Sequence, residues 1–136
     1  MKLVLDTDVL AAALLGEPAG EEAERLIRSA SELYAPSHIF AELTNVVWKA
    51  VTQARLAAHL AAELLALAEN IPLVLTDVRE LWHGALMRSI EHNHPAYDTL
   101  FVELAMQANV PMASYDNQLR KQFPRIVRTP KSLLQR

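Results

Sequence analysis

The sequence predicts an α/β fold with a short, mainly parallel sheet of four to five strands flanked by helices. Two observations carry that reading. Short apolar runs recur along the chain, the first of them continuous rather than alternating, as in a strand covered on both faces. Segments with apolar residues at helical spacing lie between them, and strands that alternate with helices make a parallel sheet.

The elements follow in order. Lys2-Leu3-Val4-Leu5 is the first strand and runs into Asp6. Val9–Leu15 suits one or two helical turns closed by Gly16. After the Pro18/Gly20 turn, Ala23, Leu26, Ile27 and Ala30 make the 21–31 segment amphipathic, with acids in its first turn and Arg25 and Arg28 later, as the helix dipole favours. Leu33–Ala35 is a second strand, stopped by Pro36, and Ser37 is placed to cap a helix from His38 to about Gln53. Leu56, Leu60, Leu64 and Leu67 form a stripe on a helix padded with alanine. That helix is either deeply buried or meets another chain. Pro72–Leu75 is a third strand, and Asp77 with Glu80 resembles a capping box opening a helix over Val78–Glu91. A His92–Pro95 loop, a helix over Asp98–Ala108, a strand over Pro111–Ser114, a short helix over Gln118–Gln122 and an Ile126–Val127 strand complete the chain.

With 136 residues, 51% of them hydrophobic and 21% charged, the chain is expected to form a single domain over residues 1–136 and not a disordered segment. It has no cysteine, which excludes disulfide scaffolds, cysteine nucleophiles and thiolate-ligated metals. The longest stretch without a charged side chain, Leu104–Tyr115, is twelve residues, too short for a bilayer. The opening residues, with Lys2 and Asp6 in the apolar run, do not read as a secretory signal, so a soluble cytoplasmic protein with no membrane partner is expected. The net charge of -3 argues against a generic nucleic-acid coat protein. Its distribution is uneven. No acid follows Asp116, and the tail beyond it carries Arg120, Lys121, Arg125, Arg128, Lys131 and Arg136. This is either an ordinary solvated tail or a cationic rim that draws a polyanion toward an acidic body.

Ligands of an open parallel sheet bind beyond the carboxyl ends of its strands. Asp6 and Asp116 lie at such ends, and Asp98 opens the helix that feeds the strand before Asp116. Glu42 lies one turn into the helix after the second strand and heads a polar stripe with Asn45 and Lys49. Taken singly, Asp98 and Asp116 read as helix caps and Glu42 as a solvent-facing residue. Asp6 resists that treatment, because an acid at a buried strand end is costly unless paired or metal-bound. Together the four make a dense negative cluster that must take up protons or recruit hard divalent cations.

These residues carry a resemblance. Leu5-Asp6-Thr7-Asp8-Val9-Leu10, Ala41-Glu42-Leu43-Thr44-Asn45-Val46, Tyr97-Asp98-Thr99-Leu100 and Ser114-Tyr115-Asp116 stand in the order and spacing of a PIN-domain ribonuclease of the VapC type, the toxin half of a toxin–antitoxin pair. The resemblance implies a PIN-like three-layer sandwich. It implies a metal-dependent endoribonuclease in which Asp6, Glu42, Asp98 and Asp116 hold one or two Mg²⁺ or Mn²⁺ ions and a water attacks a phosphodiester of RNA. Thr7, Asp8, Asn45 and Ser114 are candidates to support the ions or their water, and Asp8 either adds a ligand or caps the first helix. Arg120, Lys121 and Arg125 are candidates for the RNA backbone. A homodimer and a cognate antitoxin are implied partners, with DNA bound only through the antitoxin.

Other signals carry less. Glu103 lies about 140° around the helix from Asp98 and is set apart from the cluster. His92 and His94 show no third ligand for zinc. His38, His59 and His83 read as ordinary helix positions, and Trp48 and Trp82 as core residues. Asp6-Thr7-Asp8 also resembles the nucleophile motif of haloacid-dehalogenase-type phosphatases, although a following Gly-Thr and a paired acidic motif are missing. A catalytically silent module that keeps the fold for protein binding is the remaining alternative.

Overall fold

The computed structural model describes residues 1–135; Arg136, the last cation of the basic tail, lies outside the described residues. The sheet has five parallel strands in the order β3-β2-β1-β4-β5, with β1 (Lys2–Leu5) at its centre. On one side β1 pairs with β2 (Glu32–Pro36), Leu3 opposite Leu33, and β2 with β3 (Leu73–Thr76). On the other, Leu5 pairs with Ala113 of β4 (Met112–Ala113), which pairs in turn with β5 (Val127–Arg128).

The chain therefore steps outward from β1 through β2 to β3, then returns across the sheet to β4. Right-handed crossovers put the helices of the outward path on one face and those of the return path on the other. α1 (Thr7–Leu15) packs against α2 (Gly20–Ser29), α3 (Ile39–Thr52) and α4 (Ala58–Glu69). α6 (Ala96–Ala108) packs against β1, β2 and β4, and α5 (Trp82–His92) covers α6. α7 (Asn117–Gln122) and α8 (Pro130–Leu134) close the chain around β5 and α2.

The buried helix is α6, not the leucine-striped one. Thr99 through Ala105 are all buried, because α6 is held between the sheet and α5. α4 buries only Ala68 fully and leaves Leu60 and Leu67 exposed, so of the two expectations for that helix deep burial is not met. Trp48 and Trp82 also depart from expectation, at 59% and 51% exposed. The seam of α3 is Ile39, Leu43, Val47 and Ala50, and Trp48 stands one position off it. α5 buries only Ala85, which leaves Trp82, Leu86 and Ile90 in solvent.

Caps differ in detail. Ser37 does not cap α3. Its amide still pairs with the Thr76 carbonyl at 2.9 Å, which continues the ladder with β3, and its hydroxyl accepts from the Val78 amide instead. Asp77 accepts from the Arg79 amide at the start of a 3-10 turn over Val78–Glu80, and the α-helix begins only at Trp82.

Two glycines are dictated by close approach. A Cβ on Gly20 would lie 2.5 Å from the Ala12 carbonyl oxygen, so α2 can start against α1 only without a side chain there. A Cβ on Gly84 would lie 2.3 Å from the carboxyl carbon of Glu103, which is buried beside it and paired with Arg88 at 3.2 Å. Glu103 thus has a structural partner on α5, in keeping with its separation from the acidic cluster.

Gly20→Ala is expected to destabilise the fold by about 1–3 kcal/mol, because the obstructing atom is backbone and α1 and α2 must part to admit the methyl group. Urea unfolding against the wild type checks this; an unchanged midpoint would show that the helices separate freely.

Candidate active site

The switch in strand order falls between β1 and β4, and the site lies at their carboxyl ends. The Asp6 amide donates to the Ala113 carbonyl at 3.1 Å, so pairing runs to the last residue of the apolar run and leaves the Asp6 side chain at the mouth of the switch. Asp6 is the N-cap of α1, accepting from the Thr7 amide at 2.7 Å. Ser114, fully buried one residue beyond β4, donates its hydroxyl to Asp6 Oδ2 at 2.6 Å and accepts from the Asp116 amide at 3.0 Å. Asp116 caps α7 by accepting from the Leu119 amide. Capping therefore positions Asp6 and Asp116 without using up the acceptor capacity of either carboxylate.

Asp8 is not the cap of α1. It sits in the first turn, where it accepts from the Tyr115 amide at 3.0 Å and lies 3.4 Å from the Ser114 hydroxyl. Its Oδ1 is buried and has no hydrogen-bond partner. Glu42 joins from the other side: the Thr7 hydroxyl donates to Glu42 Oε1 at 2.7 Å. Asp98 is not a cap either. Pro95 takes that place and Asp98 lies in the first turn of α6. Asn45, a turn along α3, is exposed, and no hydrogen bond among the described residues ties it to the cluster.

One residue was missed from sequence. His94 is buried and its Nε2 lies 2.7 Å from Asp98 Oδ2. His94, Asp98 and Asp116 each offer a ligand atom, and the three lie within 4.8 Å of one another. The paired His92/His94 reading hid this, because His92 turns away to pack on Phe123, with ring centroids 4.4 Å apart. The usable signal was the four-residue spacing from His94 to Asp98. His38 also borders the site, its Nε2 3.0 Å from the Tyr97 carbonyl oxygen and 3.8 Å from Glu42.

The cluster is electrostatically strained. Burial pushes the Asp6 carboxyl well above its ordinary value, and the Asp8 and Asp98 charges push the same way against the hydrogen bonds from Ser114 and Thr7. Burial and the neighbouring Asp116 raise Asp8 to about 6, although the amides of Tyr115 and Val9 and the Ser114 hydroxyl favour its charged form. Among the described residues no arginine or lysine is paired with any of these acids. Two aspartates stabilised in their protonated forms, an orphaned carboxylate oxygen and oxygen donors converging from four elements fit a hard divalent cation. Of the basic candidates, Arg120 lies on α7 just beyond Asp116 and bonds to Asn117, and Lys121 is exposed beside it. Arg125 precedes β5 and borders a depression with Asn109 and Pro111, at the amino ends of the strands.

Known proteins share this fold. A family model described as PIN domain matches residues 3–122. Ribonuclease VapC3 of Pyrobaculum aerophilum is 29% identical over 129 residues, which is 93% of this chain and 98% of that protein. Among solved structures, a Pyrobaculum aerophilum protein superposes with a TM-score of 0.73 at 16% identity, covering 98% of this chain and 87% of its own. Mycobacterium tuberculosis VapC20, a toxin that cleaves the sarcin-ricin loop, superposes with a TM-score of 0.66 at 16% identity, covering 85% and 90%. On the family match and the fold together, the chain belongs to the PIN domain family.

Proposed function

We propose that this protein is a divalent-metal-dependent endoribonuclease, the toxin of a toxin–antitoxin pair, acting as a single PIN-like unit over residues 1–136. The observation that carries the reading is the convergence of Asp6, Asp8, Glu42, Asp98 and Asp116 on one strand-order switch with no arginine or lysine among the described residues paired to them. Likeness to a ribonuclease over nearly the whole of both chains supports RNA as the substrate.

Asp6, Glu42, Asp98 and Asp116 would hold one or two Mg²⁺ or Mn²⁺ ions. A bound ion supplies positive charge against the phosphodiester oxygens and makes a water a better nucleophile at neutral pH. The chain's own groups prepare for this. Ser114 and Thr7 hold Asp6 and Glu42 by their hydroxyl protons, and the Thr7 amide holds the second oxygen of Asp6, so the carboxylates keep their orientation and retain lone pairs for a cation. Asp8, the acid/base of the phosphatase alternative, is instead engaged by the Tyr115 amide. Arg120 and Lys121, next to the acids on α7, would contact the RNA backbone.

An antitoxin partner is supported by similarity to VapBC2 of Rickettsia felis, solved bound to a DNA fragment from its promoter, and to FitAcB of Neisseria gonorrhoeae. DNA contact by this chain's complex would come through the antitoxin. The exposed Trp82, Leu86, Met87 and Ile90 of α5 form an apolar face that a homodimer would cover, a stronger candidate than Leu60 and Leu67 of α4. A cytoplasmic site of action goes with the proposed RNA substrate; no helix among the described residues is long and apolar enough to cross a membrane.

Asp98→Asn and Asp116→Asn are each expected to lower RNA cleavage with Mn²⁺ by about 100-fold or more, since loss of a direct ligand should exceed the 10- to 100-fold effect of outer-shell changes. Cleavage should stop on chelation and return with Mn²⁺. If wild type and variants leave RNA equally uncut under every metal tried, the enzyme reading fails and the silent binding module stands. Cleavage at limiting Mn²⁺ is expected to decline as pH falls through about 6, because protons then compete with the ion at Asp8. Asp8→Asn should shift that acid limb; an unmoved limb would acquit Asp8. The stability effect has the opposite sense. The folded value of Asp8 lies above the ordinary 3.8, so its contribution to the stability of the metal-free protein declines as pH rises from near 4 through about 6. Thermal melts with chelator across that range measure it.

A further inference from the structure

The donor set at the site is not purely oxygen. Two histidines border it, and their Nε2 atoms face different things. That of His38 lies 3.0 Å from the Tyr97 carbonyl oxygen, a pure acceptor, so this nitrogen carries a proton and has no lone pair to give. That of His94 faces carboxylates: Asp98 Oδ2 at 2.7 Å, with an Asp116 oxygen inside the same 4.8 Å set. Carboxylates accept a proton or a cation alike, so the His94 ring can donate to Asp98 in the absence of an ion and offer a lone pair in its presence. The ring is 6% exposed and cannot swing out to water. Ligation through Nε2 moves the ring proton to Nδ1, which is buried without an acceptor, so the ion's attraction must outweigh that unsatisfied donor.

We infer that His94 ligates the ion held by Asp98 and Asp116 through Nε2, making a mixed nitrogen–oxygen site that discriminates against Mg²⁺ in favour of Mn²⁺. The inference rests on the divalent-ion site proposed above and adds a ligand to it. Mg²⁺ demands oxygen and sheds water reluctantly; Mn²⁺ also suits carboxylates but, as the first member of the transition series, takes an imidazole nitrogen more readily. The separations suit the geometry. Adjacent ligands of an ion bound at about 2.1 Å stand about 3 Å apart and opposed ones about 4.2 Å, within the span of these three atoms.

The test is pulsed EPR on the full chain loaded with Mn²⁺ alone, together with calorimetric titrations using Mn²⁺ alone and Mg²⁺ alone. Wild type should show ¹⁴N coupling of a directly bound imidazole. His38→Gln should retain it, and His94→Gln should lose it while still binding Mn²⁺. In the titrations His94→Gln should weaken Mn²⁺ by about tenfold or more and Mg²⁺ by clearly less. Absence of nitrogen coupling in wild type, its persistence in His94→Gln, or equal losses for the two metals would overturn the inference and leave His94 as a hydrogen-bond partner of Asp98. The wild-type spectrum decides even if the variant fails to fold. RNA cleavage separates the two readings. Cleavage without coupling removes the ligand and keeps the nuclease, whereas coupling without cleavage keeps the ligand and removes the nuclease.

Discussion

Mutual repulsion among carboxylates at the carboxyl ends of β1 and β4 is the constraint around which the rest is arranged. Two like charges about 4 Å apart repel by roughly 4 kcal/mol at the effective dielectric of a partly buried site. A domain of this size has a total stability of only about 5–15 kcal/mol. Several acids cannot be assembled there unless something offsets the cost. The protein offsets part of it with hydrogen bonds: amides of Thr7, Tyr115 and Leu119 and hydroxyls of Ser114 and Thr7 all donate into the cluster. The remainder is left to protons and, in the proposed function, to divalent ions. The site is thereby made responsive to both.

The sheet topology explains why these acids meet at all. β1 lies at the centre and its neighbours β2 and β4 are reached in opposite directions, so the helices leaving β1 and β4 diverge and open a crevice between them. Asp6 and Asp116 cap the two diverging helices. Asp98 enters because α6, the most buried helix, runs beneath β1 and β4 with its first turn at the same end. The apolar density of α6 and the acid at its start have one cause: a helix that must cross the middle of the sheet has no solvent face, and its terminus is where polar groups can emerge.

Much of this could be read from residues alone, and the limits of that reading are physical. Strand runs such as Lys2–Leu5 and Leu33–Ala35 are continuous and apolar because a parallel sheet is covered on both faces, so composition reports them directly. Capping was less certain. Ser37 had the right chemistry, but the ladder with β3 claimed its amide and a neighbouring strand's exit claimed its hydroxyl. Exposure of Trp48 and Trp82 was misjudged because periodicity places a residue on a face without saying whether a neighbour covers that face. Asp8 and His94 are of the same kind. One looked like a cap and the other like half of an incomplete pair, until Tyr115 and Asp98 arrived from 107 and 4 residues away.

Local chemistry thus established the strands, most helices, the four acidic motifs and, through their order and spacing, the family. These depend on residues within a few positions of one another, where backbone sterics and periodicity act without reference to the rest of the chain. Which acids share hydrogen bonds, which carboxyls are pushed toward their protonated forms, and that the His94–Asp98 pair meets Asp116 depend on segments distant in sequence being brought within a few ångströms. Burial and Coulomb forces act through space, and until the chain has folded there is no interior in which they can act.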